Sequence, residues 1–166
     1  MNSVVEEVAR LLEGRVKDQS TQIELDLSED IPVSLFDPDS VMRAVLNVAT
    51  NAIDAVEDRE NGRVVIATRY DQNVDLFSVI VTDNGPGIPA SERKHIFNLF
   101  ESTKGSRGTG LGLAVSQKIM QEHGGEISVT CPDTGGCVFR LTWPSISDDL
   151  APIEHTSAPT SNNSSS

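Results

Sequence analysis

Apolar positions recur along this chain with two periods, and the switching between them lays out the elements. Val4, Val5, Val8, Leu11 and Leu12 form a stripe at helical spacing, which predicts a helix over residues 3–18. From Thr21 to Leu27 the period falls to two, with Ile23, Leu25 and Leu27 set against Glu24 and Asp26, the pattern of a half-buried strand. Ser28-Glu29-Asp30-Ile31-Pro32 reads as a turn and Val33–Phe36 as a short second strand. Asp37-Pro38-Asp39-Ser40 then combines a capping carboxylate with an early proline, a helix start. The helix runs to about Arg59, carries Val41, Val45, Val48, Ala52 and Val56 on its apolar side, and stops at Asn61-Gly62. Two strands follow, Arg63–Tyr70 and Val74–Thr82, joined by Asp71-Gln72-Asn73. Pro89 to Arg107 is weakly patterned, with a short helical piece predicted over Ser91–Phe97 and a loop over Glu101–Arg107. A second long helix is predicted from Thr109 to about His123, closed by Gly124-Gly125, and residues 126–131 and 137–143 complete the sheet as a hairpin. From Ser145 to Ser166 the chain is Ser, Pro, Asn, Thr and acids, too poor in apolar residues to pack, and is predicted to be a disordered tail.

Composition narrows the function classes. With 166 residues, 37% of them apolar, one domain with a sizeable core is expected. Thirteen basic residues face 25 acidic ones, a formal net charge of −12, which argues against nucleic acid and against an anionic membrane surface. No apolar run approaches the ~18 residues of a spanning helix, and the first residues lack the charged-then-apolar order of a signal peptide. A soluble, cytoplasmic chain is expected. Cys131 and Cys137 flank a turn-like Pro132-Asp133-Thr134-Gly135-Gly136 and could face each other across a hairpin; without secretory signals the expectation is two reduced thiols, and no His partners sit at zinc spacing.

Three stretches carry candidate chemistry. Asp83-Asn84-Gly85-Pro86-Gly87 follows a strand and places an acceptor carboxylate beside two glycines that leave room for a flat ligand or supply a positive φ. Alone it is equally an ordinary turn with a capping Asp. On the helix over 38–59, Asn47, Asn51 and Asp54 project from one side that is not the apolar stripe. Asn is a poor helix former, so two of them mid-helix are unexpected, and an amide oxygen with phosphate oxygens and waters is an acceptable shell for Mg²⁺. A solvated polar face is the plainer alternative. Gly108-Thr109-Gly110-Leu111-Gly112-Leu113 enters a helix N-terminus, where backbone N–H groups and the dipole favour an anion; it is neither a dinucleotide fingerprint nor a Walker phosphate loop, and by itself it is also a hinge.

Taken in order, these stretches resemble the ATP-binding catalytic domain of bacterial sensor histidine kinases, within the ATPase/kinase superfamily that includes gyrase, Hsp90 and MutL. The resemblance covers about residues 3–144. Val45–Ala55 is similar to the family's asparagine box, Asp83–Pro89 to its first glycine box, Ile96-Phe97-Asn98-Leu99-Phe100 to its phenylalanine box, and Gly108–Leu113 to its second glycine box. Ser102-Thr103-Lys104 resembles the short-lid kinases of the nitrogen- and dicarboxylate-sensing type.

The resemblance implies an α+β fold, a two-layer α/β sandwich of the Bergerat type, with a mixed sheet of about five or more strands on three helices and an ATP lid. It implies two ligands, ATP and Mg²⁺. Asp83 would accept the adenine amino group, Gly85, Gly87 and Ile88 would line the base, Asn51 would ligate the metal, and Asp54 would lie at the nucleotide's edge. Lys104, Arg107 and the stretch Gly108, Thr109, Gly110, Leu111 and Gly112 would hold phosphates. Arg93 and Lys94 also fall beside the lid, although solubilising surface charge explains them equally. Asn47 stands where the superfamily's ATPases resemble a water-activating Glu, and an amide cannot take that proton, so Asn47 and Lys104 are assigned to phosphoryl transfer rather than hydrolysis. Phe97 and Phe100 would pin the lid or dock on acceptor helices, or simply pack. Cys137 stands where the family commonly has a small hydroxyl residue near the adenine.

The implied function is donation of the γ-phosphoryl group of Mg-ATP to a histidine on a separate dimerisation and acceptor domain, with a response regulator downstream. None of His95, His123 and His155 has the acceptor's acidic-proline setting, so the chain is read as the nucleotide-binding half. Residues 1–20 are read as an N-terminal helix continuing from the absent hairpin, 21–144 as the ATP-binding domain and 145–166 as the tail. An isolated monomer is expected. A superfamily ATPase and a nucleotide-binding regulatory module that phosphorylates nothing are the alternatives.

Overall fold

The computed structural model describes residues 1–16, 20–98 and 111–145. Three helices, α1 (Asn2–Val16), α2 (Pro38–Val56) and α3 (Gly112–Glu122), cover one face of a five-stranded sheet. The strands are β1 (Thr21–Leu27), β2 (Gly62–Asp71), β3 (Leu76–Asp83), β4 (Glu126–Thr130) and β5 (Cys137–Pro144), in the order β1-β2-β3-β5-β4. Only β1 and β2 run parallel, because α2 intervenes between them; the other neighbours are antiparallel. This is the mixed sheet on three helices that the sequence leads one to expect.

The period of two decides which face is buried. Val64 and Ile66 of β2, Phe77, Val79 and Val81 of β3, and Phe139, Leu141 and Trp143 of β5 stand in register on the helical side. Against them pack the apolar sides of the helices: Val5, Val8 and Leu12 of α1, Val41, Val45, Val48, Ala52 and Val56 of α2, and Ile119 and Met120 of α3. Helix α1, set apart in the sequence as residues 1–20, thus packs into the same core as the body. The opposite face carries the charges, with the Arg63 guanidinium bidentate on Glu24 at 2.7 Å to each oxygen and Arg69 on Asp26. Helix α2 starts as its sequence dictates: Asp37 caps it by accepting from the Asp39 and Ser40 N–H groups, and Pro38 opens the first turn.

Four expectations are corrected. The strand predicted over 33–36 does not form. A run of four bracketed by Pro32 and Pro38 finds no ladder, Val33 is fully exposed, and the Phe36 ring is anchored against Trp143. The piece predicted as helical over 91–97 is a succession of turns starting from the Pro89 carbonyl. Strand β3 begins at Leu76 rather than Val74, because Asp75 adopts a positive φ of 53° in the preceding turn. Finally, Cys131 and Cys137, expected as free thiols, form a disulfide. The β4–β5 register aligns Thr130 with Val138, so the next residues on either side face each other with Cα atoms 4.2 Å apart.

Candidate functional site: two junctions on one helix

Strand β3 delivers Asp83 to the edge of the core, paired with Val64 on one side and Cys137 on the other, and only 6% exposed. A buried carboxylate needs donors. The Gly85 N–H supplies one, at 2.8 Å from Asp83 Oδ1. Gly85 is glycine because of packing: a Cβ there would lie 2.9 Å from the Ala55 carbonyl oxygen at the end of α2 and 2.8 Å from the Asp83 carboxylate. On that side α2 leaves no space for a side chain. Gly87, by contrast, has a φ of +84°, the conformation expected of a glycine turn.

A second loop presses on the first. The Gly136 N–H donates to the Gly85 carbonyl at 2.7 Å, and a Cβ on Gly136 (φ +78°) would fall 2.3 Å from the Asp83 carbonyl oxygen. The Cys131–Cys137 disulfide closes the base of that loop. Asn84 fastens the other side, its Oδ1 accepting from the Arg63 N–H and its Nδ2 donating to the Asn61 carbonyl. Arg93, a candidate phosphate cation in the sequence, donates from Nε to the Ile88 carbonyl at 2.8 Å and lines a cavity of about 360 Å³ with Gly87 and Asp133.

The other junction lies two turns back along α2. The Asn47 side-chain nitrogen donates to the Gly112 carbonyl at 3.0 Å and the Ser116 hydroxyl at 3.3 Å, both in the first turns of α3. Leu111 is the N-cap of α3 and provides no side-chain cap. Between the junctions, half-buried on the same side of α2, lies Asn51. Asp54 follows one turn on and receives a 2.8 Å ion pair from Arg15 of α1. Asn47, Asn51 and Ala55 are successive i, i+4 positions, so Asn51 sits midway between contacts about 12 Å apart along the helix axis.

The structure therefore brings Asn47, Asn51, Asp54, Asp83, Gly85, Gly87, Ile88, Leu111 and Gly112 to α2 and its flanks. Lys104, Arg107, Gly108, Thr109 and Gly110, with Leu99 and Phe100, lie outside the described residues. Ile96 and Phe97 pack against the core, the bland role open to them. Three contributors escaped the sequence reading. Gly136 and Asn84 act through tertiary contacts. Ser116 has a readable signal, a serine one turn from Gly112 on a face that is otherwise apolar.

The family model described as "Histidine kinase-, DNA gyrase B-, and HSP90-like ATPase" matches residues 36–147. The chain belongs to this family. Sporulation kinase E of Bacillus subtilis (strain 168) is 35% identical over 144 residues, covering 87% of this chain but 19% of the kinase. The catalytic domain of histidine kinase ThkA, in a nucleotide-free form, superposes with a TM-score of 0.77 at 29% identity, covering 87% of this chain and 92% of that domain. Full-length ShkA in complex with AMPPNP gives a TM-score of 0.77 at 27% identity, over 86% of this chain and 29% of ShkA. The family model and the likeness to the ThkA catalytic domain agree on an ATPase domain of the kind that sensor histidine kinases carry. The chain spans less than half the length of the curated relatives it matches.

Among the described residues no three His, Cys, Asp or Glu side chains gather into a metal cage, and no helix is long and apolar enough to cross a membrane. The donor set fits magnesium held through one amide oxygen with phosphates and water, since Mg²⁺ keeps several waters and resists all-protein cages.

Proposed function

We propose that this domain binds Mg-ATP along α2 and donates the γ-phosphoryl group to a histidine on a separate dimerisation and acceptor domain, as the catalytic half of a two-component sensor kinase. The observation that carries the proposal is the pair of glycine-bearing junctions on one helix with Asn51 between them, a spacing suited to an extended nucleoside triphosphate. Asp83 holds the base through its carboxylate, beside Gly87 and Ile88. Asn51 ligates the metal, which neutralises phosphate charge when bound. The amides entering α3 at Leu111 and Gly112, with Gly108, Thr109, Gly110, Lys104 and Arg107, take the phosphates at the positive end of that helix. Asp54, tied to Arg15, lines the edge of the site. Phosphoryl transfer is chiefly positioning and charge neutralisation, so a site with an amide at Asn47 instead of a carboxylate suits transfer to an acceptor better than activation of water. Residues 21–144 form the nucleotide-binding body, and α1 leads into it from the acceptor side.

The test mixes the protein with a separately made acceptor hairpin and γ-labelled ATP. Acid-labile, base-stable label on the hairpin's histidine is expected. Rapid phosphate release with no label on the hairpin would establish a superfamily ATPase instead, and nucleotide binding with neither product a regulatory module.

A further inference from the structure

Ser116 is fully buried, on a helix face that otherwise presents Ile119 and Met120 to the core. Its hydroxyl lies 2.9 Å from the Gly112 carbonyl and 3.2 Å from the Ala44 carbonyl, and it accepts from Asn47 Nδ2 at 3.3 Å. A hydroxyl has one proton and two lone pairs, so it can donate toward α2 or toward its own first turn while accepting from Asn47. Asn47 Nδ2 meanwhile reaches the same Gly112 carbonyl. Four groups, two on each helix, thus close a network at the point where α3 begins. A Cβ on Gly112 would meet Asn47 at 3.6 Å, ordinary contact, so it is not this glycine that draws the helices together here; the polar network bridges them.

We infer that Ser116 is a positioning residue for the phosphate end of the nucleotide site. This rests on the function proposed above and deepens it. Asn51 stands one turn beyond Asn47 on α2, and the α3 amides begin at the residues Asn47 and Ser116 hold. The serine sets the separation between the metal-binding and phosphate-binding sides. Being buried, it does so without touching nucleotide. Its loss acts on ligands in proportion to their phosphates and leaves the base end, built on Asp83 and Gly136, untouched.

The experiment compares wild type with Ser116→Ala and Ser116→Thr, titrating each with a non-hydrolysable ATP analogue plus Mg²⁺ and, separately, with adenosine by ligand-observed NMR. For Ser116→Ala, analogue affinity is expected to fall by about fivefold or more, the loss of one buried hydrogen bond, with adenosine affinity unchanged. Ser116→Thr, which retains the hydroxyl and the i−4 bond, is expected to recover most of the analogue affinity. Thermal unfolding of each variant confirms that the folded state is what binds. Unchanged analogue affinity in the alanine variant, or an equal loss for adenosine, overturns the positioning role while the nucleotide reading stands. A folded wild type that binds neither ligand overturns the nucleotide reading, and the positioning role with it.

Discussion

The two junctions on α2 are built from different materials. At Ala55 the contact is backbone on backbone: Gly85 and Gly136 bring main chain within hydrogen-bonding distance, and a disulfide closes the second loop. At Asn47 the contact is side chain on backbone, an amide and a hydroxyl reaching one carbonyl. Neither Gly85 nor Gly136 has room for an added atom, whereas the side-chain junction depends on each of its hydrogen bonds. The glycine junction, where the base is proposed to sit, is thereby the rigid end. The side-chain junction, beside the proposed phosphate positions, is the one a single lost bond can shift.

The largest expected effect breaks the rigid end. Gly136→Val places a branched side chain at a positive φ and against the Asp83 carbonyl, and is expected to destabilise the fold by about 3 kcal/mol or more. Chemical denaturation measures it, and an unchanged midpoint would mean the loop can swing away from β3. Next is Asp83→Asn. Removing a charged acceptor worth about 1.5–3 kcal/mol should weaken nucleotide binding roughly ten- to a hundredfold while the fold persists; calorimetry with an ATP analogue that returned the wild-type affinity would strip Asp83 of its role. Reducing the Cys131–Cys137 disulfide with a dithiol opens a short loop and is expected to lower stability by about 2 kcal/mol, visible as a lower melting temperature that a Cys131→Ser, Cys137→Ser double variant reproduces without reductant. A melting temperature indifferent to reductant would show that backbone contacts alone hold the rigid end.

The smallest effect concerns the N-terminus of α2, the helix both junctions share. The Ser40 hydroxyl and N–H, the Asp39 N–H and the nearby His123 hold the Asp37 carboxyl below its ordinary value. A depressed folded-state pKa means stability present above the unfolded carboxylate's pKa and lost as pH falls through the folded one. Wild type should therefore lose stability, relative to Asp37→Asn, in the acid range below about pH 4, and melting curves of the two chains that stay parallel through that range would contradict the cap's contribution.

The family membership makes sense of this division. The buried strand-end acid beside a glycine turn and the asparagine-bearing helix were legible because each is a local pattern. So was the strand from Thr21 to Leu27, whose bounds the structure reproduces, although burial departs from the alternation at Leu25, which is exposed, and at Glu24, which is half-buried. What escaped were contacts between distant segments. Asn47 meets Gly112 across 65 residues, and nothing near Asn47 announces it. The close approach of Gly85 to the end of α2 was equally hidden, because Ala55 is distant from it in the sequence. The hairpin could be seen to let the cysteines face each other, but compartment was given the greater weight, and register joined them. The segment over 33–36 had a strand's pattern but is bracketed by Pro32 and Pro38 and joins no ladder.

By itself the sequence determined the main elements, the face most of them bury and the kinds of chemistry available, since propensity, period and capping act over a few residues. The tertiary structure alone decided which glycine is confined by packing and which serves a turn, and which polar group ties one helix to another. Those choices depend on what lies a few ångströms away in space, and the chain supplies that neighbour from a part of itself that local pattern does not reach.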